Sequence, residues 1–218
     1  MKKQCILLTM LMLVALTAAA KKVKVTIDGF VPKHQEQVCI IVNEDLDNIM
    51  EVPVNDGRFT VKMKIDADAF IRIYEGGYLK NYPDRAYFIL IPDSKHITVN
   101  TTDPFNYTIE GSEMSEKLQQ AIRKARQNSP EGFHIDVFSD DPQAWADAKA
   151  AQESTWKMMR DEQMKDITTV INDNKSNIIP VWMIYIYGRG EYGPQVKSFL
   201  KDNSKWGKHI LMQKLLSE

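Results

Sequence analysis

The chain has 218 residues, 28 of them Lys or Arg and 29 Asp or Glu, giving a formal net charge of −1 with histidine neutral. So even a balance gives no electrostatic reason to expect a nucleic-acid partner. Two cysteines exclude a disulfide framework, and His34, His96, His134 and His209 lack metal-ligand spacing, so no metal, cofactor or catalytic constellation is expected.

Met1-Lys2-Lys3, an apolar run from Cys5 to Leu16 and Ala18-Ala19-Ala20 before Lys21-Lys22 have the layout of a secretory signal peptide cleaved after Ala20. The run is too short for a transmembrane helix, which needs about 20 apolar residues, and Cys5 sits too early in it to be a lipoprotein cysteine. The expectation is export to the periplasm or cell envelope, with no transmembrane helix after cleavage. Losing Lys2 and Lys3 leaves 26 basic against 29 acidic residues, a net charge of −3, on a mature chain of 198 residues whose only thiol is Cys39. A chain of that size can bury roughly 70% of its unfolded surface without metal or disulfide staples.

From Val23 to Phe30, Val23, Val25 and Ile27 alternate with Lys24, Thr26 and Asp28, the period of a half-buried strand. Gln37 to Val42 is apolar on both parities and reads as a strand covered on two faces, with Cys39 in its middle. Pro53, which cannot donate a ladder hydrogen bond, puts Ile49 to Val54 at an edge or at a strand end. Asn55-Asp56-Gly57 then predicts a tight hairpin into Arg58 to Ile65, where Phe59, Val61, Met63 and Ile65 point one way and Arg58, Thr60, Lys62 and Lys64 the other. Further strands are expected over Ala69 to Tyr74, Tyr87 to Ile91, His96 to Thr101 and Tyr107 to Ile109. Their spacing predicts an antiparallel, sandwich-like β domain over residues 21–111.

The period then changes. Ser112 offers an N-cap to a helix carrying Met114, Leu118, Ala121, Ile122 and Ala125, stopped by Ser129-Pro130. Glu131 to Asp141 reads as a loop, and Asp141-Pro142 opens a long helix whose intermittent stripe is Trp145, Ala148, Trp156, Met159, Ile167 and Val170. Ile178 to Tyr187 reads as a short buried helix entered through Ser176 or Asn177, and Tyr192 to Asp202 and Trp206 to Leu216 as two closing helices. The fold class is therefore α+β, with the sheet first and a helical region, 112–218, after it.

Gly188-Arg189-Gly190-Glu191-Tyr192-Gly193 spells G-x-G-x-x-G, but too little chain follows to build the strand and acidic residue that a dinucleotide site needs, and helix termination accounts for it. Cys39, flanked by Val38 and Ile40, reads as an inert packed thiol. Trp182, Met183 and Tyr185 read as core. The one positive binding signal is aromatic: Tyr78 and Tyr82, beside Asp84 and Arg85 in the 75–85 loop and flanked by Tyr74 and Tyr87, could stack on a sugar or hold a peptide, or drape on their own sheet.

Asp28-Gly29, Val54-Asn55-Asp56-Gly57-Arg58-Phe59, Phe88-Ile89-Leu90-Ile91-Pro92, Ile97-Thr98-Val99 and Ile109-Glu110-Gly111-Ser112 together resemble the N-terminal domain of unknown function of Bacteroidetes-type cell-envelope thiol-disulfide oxidoreductases. The likeness runs from Val23 to Ser115 and, more loosely, to Ser176-Asn177-Ile178-Ile179-Pro180, which is similar to the spacer before their thioredoxin module. No Cys-x-x-Cys is present here, so no catalytic residue carries over. The resemblance implies an envelope β module with a helical appendage. Taken together, the expectation is an exported, non-catalytic protein that contacts an envelope protein or small ligand. The alternatives are an accessory to a separate thioredoxin-like oxidoreductase and a glycan-binding β-sandwich.

Overall fold

A computed structural model describes residues 21–76, 86–101, 107–130, 133–190, 193–201 and 203–218. The expected signal peptide lies outside them. The protein is α+β, with strands first and helices after, in two compact units, Met1–Ser115 and Glu116–Glu218.

In the first unit the strands are β1 (Lys22–Phe30), β2 (Gln37–Val42), β3 (Met50–Pro53), β4 (Arg58–Asp66), β5 (Ile71–Glu75), β6 (Phe88–Leu90), β7 (His96–Asn100) and β8 (Thr108–Glu110). They form two four-stranded sheets, a first in the order β4-β1-β7-β8 and a second in the order β3-β2-β5-β6. Inward residues of both sheets make one apolar cluster: Val25, Ile27, Phe59, Val61, Ile97 and Val99 from the first, and Val38, Ile40, Ile71, Ile73, Phe88 and Leu90 from the second. The strand parity read from the sequence thus sets which side chains meet in the core. β3 is an edge strand and Pro53 its last residue, as the missing proline N–H requires. Pairing is antiparallel except between β1 and β7, which run parallel from Thr26 opposite His96 to Phe30 opposite Asn100.

The expected hairpin is corrected. The turn itself forms, with Asp56 at φ 50° and Gly57 at φ 74°, and the Asn55 and Arg58 backbones exchange hydrogen bonds of 2.8 and 3.0 Å. Beyond that single bridge β3 and β4 part, β3 pairing with β2 and β4 with β1. Val54 donates its N–H to the Glu36 carbonyl at 2.8 Å, and Val31 donates to the Gly57 carbonyl at 2.9 Å, so competing partners pull the two arms into different sheets. A Cβ on Gly57 would lie 2.8 Å from the Val31 carbonyl oxygen.

Helix α1 (Glu113–Arg126) starts as expected: the Ser115 N–H donates to Ser112 Oγ at 3.1 Å and the Met114 N–H to Asp93 Oδ2 at 2.8 Å. Ser115 Oγ in turn accepts from the Ile91 N–H at 2.9 Å, tying the helix start to the end of β6. In the second unit, α2 (Pro142–Asp173) is capped by Asp141, whose Oδ1 accepts from the Gln143 N–H at 2.9 Å. Its last third packs through Met164, Ile167, Val170 and Ile171. Helix α3 (Ile179–Tyr187) is entered through Asn177, whose Oδ1 accepts from the Ile179 N–H at 2.9 Å, and buries Ile179 through Tyr185, including Trp182 and Met183.

The two closing helices are more broken than their periodicity suggests. They comprise α4 (Gly193–Ser198), a 3₁₀ turn (Phe199–Lys201), α5 (Ser204–Gly207) and α6 (Ile210–Ser217). Buried His209 causes the last break, its Nδ1 accepting from the Leu211 N–H at 3.1 Å and capping α6.

Candidate functional site: an aromatic groove on the long helix

Tyr78, Tyr82, Asp84 and Arg85 lie outside the described residues. Of the flanking tyrosines, Tyr74 is buried, and Tyr87 donates its hydroxyl to Glu75 Oε2 at 3.0 Å, so both are committed to the sheet. Cys39 is buried, and burial, with Glu51 nearby, pushes its thiol up from the usual range. That holds it in the unreactive form. Among the described residues no group of three or more His, Cys, Asp or Glu could hold a metal, and no helix is long and apolar enough to cross a membrane.

The glycine motif closes helix α3. Gly188 donates to the Ile184 carbonyl at 2.8 Å, and Gly193 to the Gly190 carbonyl at 2.8 Å. Gly188 keeps right-handed backbone, φ −73°, so its need for glycine is steric: a Cβ there would meet the Ile184 carbonyl oxygen first and then Leu215 Cδ2 of α6 at 2.8 Å.

The first half of α2 leaves apolar side chains exposed. None of its residues up to Arg160 is buried, although Trp145, Ala148 and Trp156 recur there at helical spacing. Residues 133–137 form no helix or strand, as the loop reading expects, but their burial alternates with a period of two: Phe133, Ile135 and Val137 are half-buried while His134 and Asp136 face solvent. Three hydrogen bonds pin the segment. The Trp156 indole donates to the Phe133 carbonyl at 2.9 Å, the Ile135 N–H to Gln152 Oε1 at 3.1 Å, and the Trp145 indole to the Ser139 carbonyl at 2.6 Å. Indoles that donate while presenting their rings suit a surface wet at one edge and apolar at the other.

Between helix and segment lies a groove of about 530 Å³, whose walls include Ile135, Val137, Trp145, Ala148 and Trp156. Lys149 and Glu153 supply its charged part. At its open end Trp145 is 55% exposed, and Phe138, next along the segment, is 97% exposed. No protein-family model matches the chain, and no curated protein matches it.

Among the described residues the lining has a single carboxylate, Glu153, and no Ser, Thr, Cys or His. It is equipped to exclude water from an apolar side chain. Sequence reasoning found Trp145, Ala148 and Trp156 as a stripe but assigned them to packing, and it passed over the opposite wall. Its signal was the Phe133, Ile135, Val137 alternation inside a segment read as loop.

Proposed function

We propose that the protein is an exported, non-catalytic module of the cell envelope that holds a partner protein by an apolar side chain seated in the 133–156 groove. The observation that carries this is the pair Phe138 and Trp145, large apolar side chains exposed beside an apolar groove that the described residues leave open. The signal-peptide layout supports export. The resemblance to the N-terminal domain of envelope thiol-disulfide oxidoreductases supports the compartment and favours a thioredoxin-like enzyme as the first partner to test. Buried, proton-holding Cys39 supports a role outside the redox chemistry itself.

The test is site-specific photocrosslinking in the native envelope from a probe at position 138, with and without Ala148→Glu. Ala148 lines the groove on the exposed half of α2, so the glutamate puts a charge into it while leaving the helix intact. One dominant protein adduct is expected, reduced at least about tenfold by Ala148→Glu, the loss that about 1.4 kcal/mol of binding represents. An adduct pattern indifferent to Ala148→Glu, or disulfide exchange catalysed by the isolated protein, defeats the reading.

A further inference from the structure

On the outer face of the first sheet, the β1–β4 pair sets Lys24 directly opposite Lys64, with Thr26 opposite Lys62 one step along. Like charges at directly opposed positions destabilise a ladder, because their Cβ atoms stand only about 4.5–5.5 Å apart. Lys95, just before β7, completes the group. Lys24, Thr26, Lys62, Lys64 and Lys95, with Val25 and Met63, line a shallow depression of about 560 Å³. All four lysines are exposed, and none makes an ion pair with a described residue. The nearby carboxylates are engaged elsewhere: Asp66 with Lys22 at 3.7 Å, and Asp28 with His96 Nε2 at 3.0 Å and the Thr60 hydroxyl at 2.5 Å.

The local backbone points the same way. β7 joins β1 only from Thr26 onward, where the Thr26 N–H donates to the Lys95 carbonyl at 2.9 Å. Ladder alternation turns both the N–H and the carbonyl of Lys24 to that same side, ahead of the first β7 pair. The depression therefore gathers four ammonium groups and the Thr26 hydroxyl, on a chain whose overall charge is slightly negative.

We propose that Lys24, Lys62, Lys64 and Lys95 form a binding site for a ligand presenting two adjacent phosphate groups. Each phosphate monoester carries about −1.5 to −2 at neutral pH, so two of them match four ammonium charges, where single carboxylates would have to be gathered four at a time. Lysine suits this ligand as a point charge that needs no bidentate geometry. Val25 and Met63, the apolar members of the lining, turn their side chains to the core, so the face offered to the ligand is set by the lysines and Thr26. The same chemistry can be supplied by a soluble phosphorylated saccharide or by a phosphorylated lipid headgroup.

Pyrophosphate is the probe for the shared chemistry, followed by calorimetry and by the shift in Tm that a ligand confined to the native state produces. Binding is expected with pyrophosphate, with at most a weak response to sulfate at equal ionic strength. Lys24→Gln/Lys64→Gln should weaken it at least about tenfold while leaving the ligand-free Tm equal to or above wild type, because a cross-strand repulsion is removed. Co-sedimentation with neutral vesicles doped with phosphatidic acid assigns the source: retention that the double variant abolishes places the phosphates on a lipid, and pyrophosphate binding without retention places them on a soluble molecule. The proposal is overturned if neither probe binds beyond the sulfate and undoped-vesicle controls, or if binding survives the double variant.

Discussion

The outer faces of the two sheets differ sharply although both sheets bury the same cluster on their inner side. On the second sheet, outward-pointing Cys39, Ile41, Arg72 and Tyr74 are all buried, and Arg72 Nη1 meets Glu44 Oε2 at 2.7 Å while its guanidinium stacks 4.7 Å from the Tyr74 ring centre. On the first sheet, the outward positions of β1 and β4 are Lys22, Lys24, Thr26, Asp28, Arg58, Thr60, Lys62, Lys64 and Asp66, all at least partly exposed, with Phe30 under the Arg58 guanidinium. A charge on the closed face has to be matched within the protein, whereas a charge on the open face can stay unmatched and serve something outside it. One kind of strand thus yields a structural ion pair on one sheet and a candidate ligand surface on the other.

The largest expected effect lies on the closed face. Arg72→Met leaves the Glu44 carboxylate buried without its guanidinium and should cost about 3–5 kcal/mol in chemical denaturation. A loss under about 1 kcal/mol would show that face to be wet, removing the contrast. Next comes the turn that carries the chain between the sheets. Gly57→Val forces a β-branched residue to positive φ with its Cβ against the Val31 carbonyl, and a loss of about 2–3 kcal/mol is expected in the same assay.

Cys39 sharpens the contrast chemically. Cys39→Ser puts a hydroxyl on the closed face and should cost about 1–3 kcal/mol, and the native thiol should react with a thiol reagent far more slowly than the denatured one at neutral pH. The pH dependence follows from a thiol pKa raised on folding. Below the unfolded thiol's pKa, about 8.5, the stabilising contribution is complete. Above it the unfolded chain sheds its proton first, so stability falls as pH rises. Cys39→Ala should flatten that decline in melts taken between pH 7 and 10. The smallest effect belongs to the open face: Lys64→Glu gives Lys24 an opposite charge across the ladder and should stabilise by about 0.2–1 kcal/mol. Destabilisation there would mean that Lys64 already has a partner.

Strand parity was legible because it follows from side-chain alternation alone: Val25 and Ile27 against Lys24 and Thr26, and the two-sided apolar run around Cys39. Helix starts were equally plain, since Ser112, Asp141 and Asn177 cap by local geometry. Strand partners were not. Asp56-Gly57 makes the same tight turn whether its arms pair with each other or separate, and the outcome here rests on Glu36 and Val31, 18 and 26 residues upstream of their partners Val54 and Gly57. The parallel β1–β7 pair joins residues too distant in sequence to leave a local pattern. At the groove, the helix stripe was visible and the loop was too, but the side-chain hydrogen bonds that hold the loop against the helix leave no local pattern. The break before α6 escaped because a histidine cap is rarer than the Ser, Asp and Asn caps that mark helix starts.

The order in which the chain visits the sheets has its own consequence. It lays β1 in the first sheet, β2 and β3 in the second, β4 in the first, β5 and β6 in the second, and β7 and β8 in the first. No contiguous fragment therefore contains the first sheet without also containing all of the second. A protease cut between β4 and β5 leaves strands of both sheets on each side of the nick, so neither piece inherits a finished core. Hydrogen exchange of the buried amides in the two sheets should accordingly share one opening free energy, and the β unit should be lost or kept as a whole.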